Sequence, residues 1–205
     1  DFKGALRDHE DALKIFEEEC SLPDTAHVLL GTGFSRLMTK NNPEKGISEI
    51  LRSVALYHNL GDARGELITT INRNNGFNLI GLNTYTHLIT NYHELFKTAK
   101  KIGDFENAAE VAYALGTKFW NAKQFEKSKN YLLKALEYTK KTDAKGLESR
   151  IYAELTILFA SLEDLEQSEY YFDLLKKMPQ EILTHPKNHF LIIIAESVLL
   201  AAKKQ

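Results

Sequence analysis

Apolar residues along this chain recur at spacings of three and four, and strand-like alternation is hard to find. Between Asp104 and Ala122 they fall at Ala108, Val111, Ala112, Leu115, Phe119 and Ala122, one stripe of an amphipathic helix. Phe125, Tyr131, Leu132, Ala135, Leu136 and Tyr138 form the next stripe. Only Asn121-Ala122-Lys123-Gln124 separates the two, and helices joined by so short a link fold back antiparallel. The same pattern predicts helices at about 2–19, 25–40, 44–59, 64–80, 84–101, 104–122, 125–140, 146–161, 165–177 and 187–203. From Asp24 to Met178 they pair into four hairpins, 24–60, 62–101, 104–141 and 143–178. A half repeat at 1–20 precedes them and a final helix at 187–204 follows.

The hairpins repeat one another. Phe34, Phe77, Phe119 and Phe159 are spaced by 43, 42 and 40 residues. Leu30-Gly31-Thr32-Gly33-Phe34 echoes Leu115-Gly116-Thr117-Lys118-Phe119. A fixed period of this length marks one supersecondary unit stacked on copies of itself. Asp24, Asp62, Asp104 and Asp143 each precede an apolar-periodic run, where a carboxylate caps orphan N–H groups and suits the helix dipole. Gly61 and Gly103 suit the end of the helix before. The opening Asp1-Phe2-Lys3-Gly4-Ala5 matches the start of a second helix, as in Gln124-Phe125-Glu126-Lys127-Ser128. The array therefore reads as one cut in mid-repeat, a single repeat domain over 1–205 within a longer chain. The other reading makes the end helices caps.

Leu115, Gly116 and Phe119, followed by Ser128 and Ala135, carry a resemblance to the tetratricopeptide repeat. The fourth hairpin supplies Leu155, Thr156, Phe159, Ser168 and Leu175. The first supplies Leu30, Gly31 and Phe34, then Gly46 after an insertion at Lys40-Asn41-Asn42. The second departs most, with Asn74 at the glycine position and His93 at the second small position. The long period is similar to that of signalling regulators of the maltose-activator type, and similar arrays occur in the peptide-pheromone receptors of Gram-positive bacteria and in animal spindle-orientation adaptors. The resemblance implies an all-α fold, a right-handed α-solenoid of antiparallel helix hairpins with about ten helices. It also implies that Phe34, Phe77, Phe119 and Phe159 are packing residues, and that Gly31 and Gly116 permit close helix approach.

In such repeats the first helices line the concave side. Counting from the phenylalanines, the inward positions hold Thr32, Asn75, Thr117 and Ile157, then Ser35, Asn78, Trp120 and Ala160. Further inward positions hold Val28, Ile71, Tyr113 and Ala153, then Arg36, Leu79, Asn121 and Ser161, with Glu110 and Arg150 near the helix starts. The expected binding face is Thr32, Ser35, Arg36, Asn74, Asn75, Asn78, Tyr113, Thr117, Trp120, Asn121 and Arg150. Asparagine is a poor helix former, so Asn72, Asn74, Asn75 and Asn78 in one helix call for a reason. One reason is a row of amides that pairs with an extended peptide backbone, beside Tyr113 and Trp120 as rigid contact area. The other is an irregular turn with solvated amides and Gly76 breaking the helix. The Lys, Arg and Asn set of a two-carboxylate clamp is absent from these positions.

Composition narrows the function further. With 26 basic against 28 acidic residues, a net charge of −2, the chain lacks a footprint for direct nucleic-acid binding. The lone Cys20 suits a reducing compartment, and cytoplasmic residence is expected. The apolar run Phe190–Leu200, interrupted by Glu196 and Ser197, is too short to span a bilayer, so no membrane association is expected. Gly31-Thr32-Gly33 follows no strand, and no Gly-x4-Gly-Lys-Ser/Thr loop is present. The seven histidines include no His-Glu-x-x-His, and no nucleophile–base constellation emerges. No cofactor, metal or catalytic residue is expected. The final helix is apolar nearly all round, which demands burial on more than one side and predicts self-association there, weakened by charge at Ile193 or Leu199. The function expected is a non-enzymatic protein- or peptide-binding repeat domain, the sensor or interaction part of a regulator. The alternative is an oligomerisation scaffold that uses its terminal helices.

Overall fold

The computed structural model of the chain describes residues 2–81 and 84–204, apart from the side chains of Leu79 and Lys187. Eleven helices and no strand lie among the described residues: α1 (Phe2–Glu18), α2 (Leu22–Thr39), α3 (Pro43–Leu60), α4 (Ala63–Leu79), α5 (Tyr85–Ile102), α6 (Phe105–Asn121), α7 (Phe125–Thr139), α8 (Lys145–Ser161), α9 (Leu165–Lys176), α10 (Gln180–Thr184) and α11 (Pro186–Ala202). The fold is all-α. Each of the ten helices predicted from the apolar pattern is present, with ends shifted by three residues at most. The short α10 is an addition. Helix α4 runs unbroken through Gly76.

The chain forms two compact units, Asp1–Ile102 and Gly103–Gln205. Within the first, α1 packs on α2, α2 on α3, α3 on α4 and α4 on α5. Within the second, α6 packs on α7, α7 on α8 and α8 on α9, and α11 returns onto both α8 and α9.

Local chemistry sets the helix ends. Asp62 accepts from the Gly65 amide at 2.9 Å, and Asp104 from the Asn107 amide at 3.1 Å. These two N-caps match expectation. The other two aspartates do not cap. Ser21 takes that position before α2, with Asp24 in the first turn, and Asp143 lies one residue outside the Ala144 N-cap of α8. Asp164 caps α9 instead, accepting from the Gln167 amide at 3.1 Å. Gly61 and Gly103 turn the chain with φ of 69° and 74°, a region only glycine enters freely.

Packing follows the repeat. Phe119 stacks on Tyr131 with ring centres 5.5 Å apart, and Phe159 stacks on Tyr171 at 5.6 Å. Both phenylalanines are buried, each between the helices of its own hairpin. Phe34 is half-buried and meets Phe2 of α1 at 6.4 Å, so it also seals the α1–α2 seam. At Gly116 a Cβ would stand 2.8 Å from Leu132, so the glycine brings α6 onto α7. Gly33 and Gly46 do the same for α2 and α3. A Cβ at Gly33 would stand 2.6 Å from the Gly46 carbonyl oxygen, and one at Gly46 would stand 2.8 Å from that of Gly33. In the second unit α8 is buried nearly all round, from Leu147 to Ala160. Ala153, Ile157 and Ala160, expected on an inward face, are buried in consequence.

Candidate functional site

In the second unit, α6 and α8 bring four side chains into one connected group. Glu110 and Tyr113 stand one turn apart on α6, and Arg150 and Glu154 one turn apart on α8. Arg150 Nη2 donates to Glu110 Oε1 at 2.9 Å. Its guanidinium carbon lies 5.1 Å from the centre of the Tyr113 ring, a cation–π arrangement. Its Nε donates to the Gly146 carbonyl at 3.4 Å. The Tyr113 hydroxyl donates to Glu154 Oε1 across a long 3.5 Å. Both hydrogen bonds between α6 and α8 join positions one repeat apart, 40 residues for Glu110 with Arg150 and 41 for Tyr113 with Glu154.

Burial governs the electrostatics of this group. It pushes the Tyr113 phenol well above its usual range, and the charge of Glu154 adds to the effect. It also raises the Glu154 carboxyl, against the Tyr113 hydrogen bond, which pulls the other way. The Arg150 side chain keeps 28% of its surface in solvent. A guanidinium fixed by a carboxylate on one side and a ring on the other holds its remaining donors at a set angle. Such a group recognises peptide carbonyls or carboxylates at little entropic cost.

The rest of the expected face in this unit continues along α6. Thr117 is half-buried and its hydroxyl donates back to the Ala114 carbonyl at 2.9 Å. Trp120 is half-buried, its ring 5.1 Å from that of Phe125, so part of the indole is already engaged in the hairpin. Asn121 is exposed. Glu154 was absent from the sequence-based face, although its distance of one period from Tyr113 is the signal that locates it.

The first unit departs from expectation. Thr32, Ser35, Arg36 and Asn74, read as open positions, are buried. Thr32 donates to the Val28 and Leu29 carbonyls of its own helix. Arg36 is enclosed because α1 and α3 each bring it a carboxylate. Its Nε donates to Glu49 Oε2 at 2.9 Å and Oε1 at 3.2 Å, and its Nη2 bonds Glu10. Asn74 accepts from Arg73 at 3.3 Å. Asn75 is exposed, but its carbonyl accepts from the Tyr92 hydroxyl of α5. Asn72 donates to the Ile68 carbonyl at 2.9 Å, and Asn78 is half-buried. The asparagines therefore do not form a row of open amides. The inward position of Leu79 lies outside the described residues.

Among the described residues no group of three or more His, Cys, Asp or Glu is placed to hold a metal ion. None of the described helices is long and apolar enough to cross a membrane. No family model matches the chain, and none of the curated proteins compared matches it. The fold does match solved structures. One is BtubC (BKLC) from P. vanneervenii, with a TM-score of 0.74 at 14% identity, over 99% of this chain and 90% of that one. At this identity the likeness is one of fold, an all-helical repeat-like array.

Proposed function

We propose that the chain is a non-enzymatic protein- or peptide-binding repeat domain of the tetratricopeptide type, the interaction part of a cytoplasmic signalling or transcriptional regulator. The observation that most supports this is Arg150, held between Glu110 and the Tyr113 ring and still partly in solvent. Tyrosine and arginine in this arrangement are the residue types that dominate binding hot spots. Thr117 and Asn121 extend the same helix with hydrogen-bonding groups. The repeat type draws support from Gly116 against Leu132 and from Phe119 stacked on Tyr131.

The test is selection of a random peptide library on the immobilised chain. Peptides enriched on the parent should lose roughly tenfold or more in affinity for Arg150→Ala and Tyr113→Ala. Arg150→Ala should leave thermal stability nearly unchanged, because a partly exposed ion pair contributes about 1 kcal/mol or less. Trp120→Ala is a poorer probe, since its ring also packs on Phe125. An absence of enrichment over a bare support, or enriched peptides indifferent to both substitutions, would end this reading.

A second reading, an oligomerisation module, rests on α11. Phe190 is 72% exposed, Ile193 47% and Leu200 53%, along one stripe of that helix. Leu199 is 3% exposed and faces the interior, so only Ile193 of the two residues expected at that surface is available.

A further inference from the structure

We propose that the opening between α6 and α8 takes a basic side chain, lysine or arginine, of the bound peptide. From Leu147 to Ala160 every residue of α8 is buried except Arg150 and Glu154. These two stand one turn apart, so they share one opening. Glu110 and Tyr113, both half-buried, edge it from α6.

The two charged residues at this opening are not equally served. Arg150 is engaged by Glu110 at 2.9 Å and by the Gly146 carbonyl at 3.4 Å. Among the described residues no cation pairs with Glu154, and its one partner is the Tyr113 hydroxyl, across 3.5 Å. Other enclosed carboxylates of the chain are compensated. Arg36 bonds Glu49 at 2.9 Å, and Glu148 of α8 has Lys145 at 2.9 Å and the Tyr152 hydroxyl at 2.7 Å. Burial pushes the Glu148 carboxyl up, but its bonds to Lys145 and Tyr152 bring it below its usual value. Burial raises the Glu154 carboxyl, with only the Tyr113 bond against it. A carboxylate accepts about four hydrogen bonds, and Glu154 is offered one long one. Glu110 and Glu154 face the single positive charge of Arg150, so the group lacks one cation. A neutral or acidic side chain would leave Glu154 as it is. An ammonium or guanidinium would pair with it in a partly dry site, where charge-assisted hydrogen bonds are strongest.

This inference rests on the peptide-binding reading, but its test is separate. Blocked Ala-Ala-X-Ala-Ala peptides, with lysine, arginine, norleucine or glutamate at X, are titrated into the isotope-labelled full-length chain. The Tyr113 ring and Arg150 Nε signals are followed by NMR, with n-butylammonium and 1-butanol titrated alongside. The lysine and arginine peptides should bind roughly tenfold more tightly than the norleucine peptide, the share of one charge-assisted hydrogen bond. Glu154→Gln, which keeps the shape and an acceptor for Tyr113, should abolish that preference. Should Glu154→Gln not fold, the Glu154 carboxyl carbon decides the matter on the parent. The lysine peptide should move its titration to lower pH, because a nearby cation favours the charged form. Lysine and norleucine peptides that bind equally or not at all, or a preference that survives Glu154→Gln, would overturn the proposal. Binding of n-butylammonium over 1-butanol with no preference among the peptides would overturn its peptide half and indicate a free amine. Library-selected peptides that need Arg150 but are indifferent to Glu154→Gln would sink this inference and leave the wider reading standing.

Discussion

At Arg36 one guanidinium closes three helices. Its side chain is 6% exposed, and it holds Glu49 of α3 with two hydrogen bonds and Glu10 of α1 with a third. Removing one member of a buried ion pair strands the other, and Glu49 would keep only Lys45 Nζ of its own helix, at 3.9 Å. Arg36→Met should therefore cost about 3–5 kcal/mol in denaturant unfolding, and adding Glu49→Leu should restore most of it. A double mutant no better than the single one would refute this account. Arg36 could not be read correctly from the repeat because its partners lie 26 residues before it and 13 after it. Neither distance is a period. Tyr92 offers a second residue-scale test. Burial raises its phenol from 10.0 to about 12. The folded chain then keeps a proton that the unfolded chain has already lost. This contribution is fully present below the unfolded value of 10.0 and is lost as pH rises toward about 12. Unfolding midpoints measured between about pH 9 and about pH 11 should fall less steeply in Tyr92→Phe than in the parent.

At the scale of elements, α2 and α3 meet backbone to backbone. Gly33 and Gly46 each face the other's carbonyl oxygen, so an added methyl meets a wall that no rotamer can move aside. Gly33→Ala should cost about 1–3 kcal/mol by overpacking, measurable as a lowered melting temperature. An unchanged melting point would mean that the two helices can separate freely. The elements themselves were legible in the sequence because each carries a long apolar stripe. The caps were less so. Asp143 and Asp164 look alike as letters, but only Asp164 falls at the residue where the backbone enters the helix. Helix α10 is not legible in the sequence, because its five residues, set between Pro179 and Pro186, are too few to show a period. The candidate site was half legible. Tyr113 and Arg150 are on it, whereas the buried part of α2 was not foreseeable without knowing how closely α1 and α3 approach.

At the scale of the whole molecule, the apolar stripe of α11 predicts concentration-dependent association. Ile193→Asp should shift light-scattering mass toward the monomer with little loss of stability, because Ile193 is half in solvent. Leu199→Asp should instead unfold the second unit, since that side chain is interior. A parent chain monomeric across micromolar concentrations would discard the association. A last consequence belongs to the contacts of Glu110 with Arg150 and of Tyr113 with Glu154. Each joins neighbouring repeats at nearly matching positions, so it depends on the two repeats being different. Tandem duplication of the α6–α7 hairpin would set glutamate near glutamate and tyrosine near alanine at the new seam. Divergence between the repeats thus serves as a spelling that fixes which hairpin follows which.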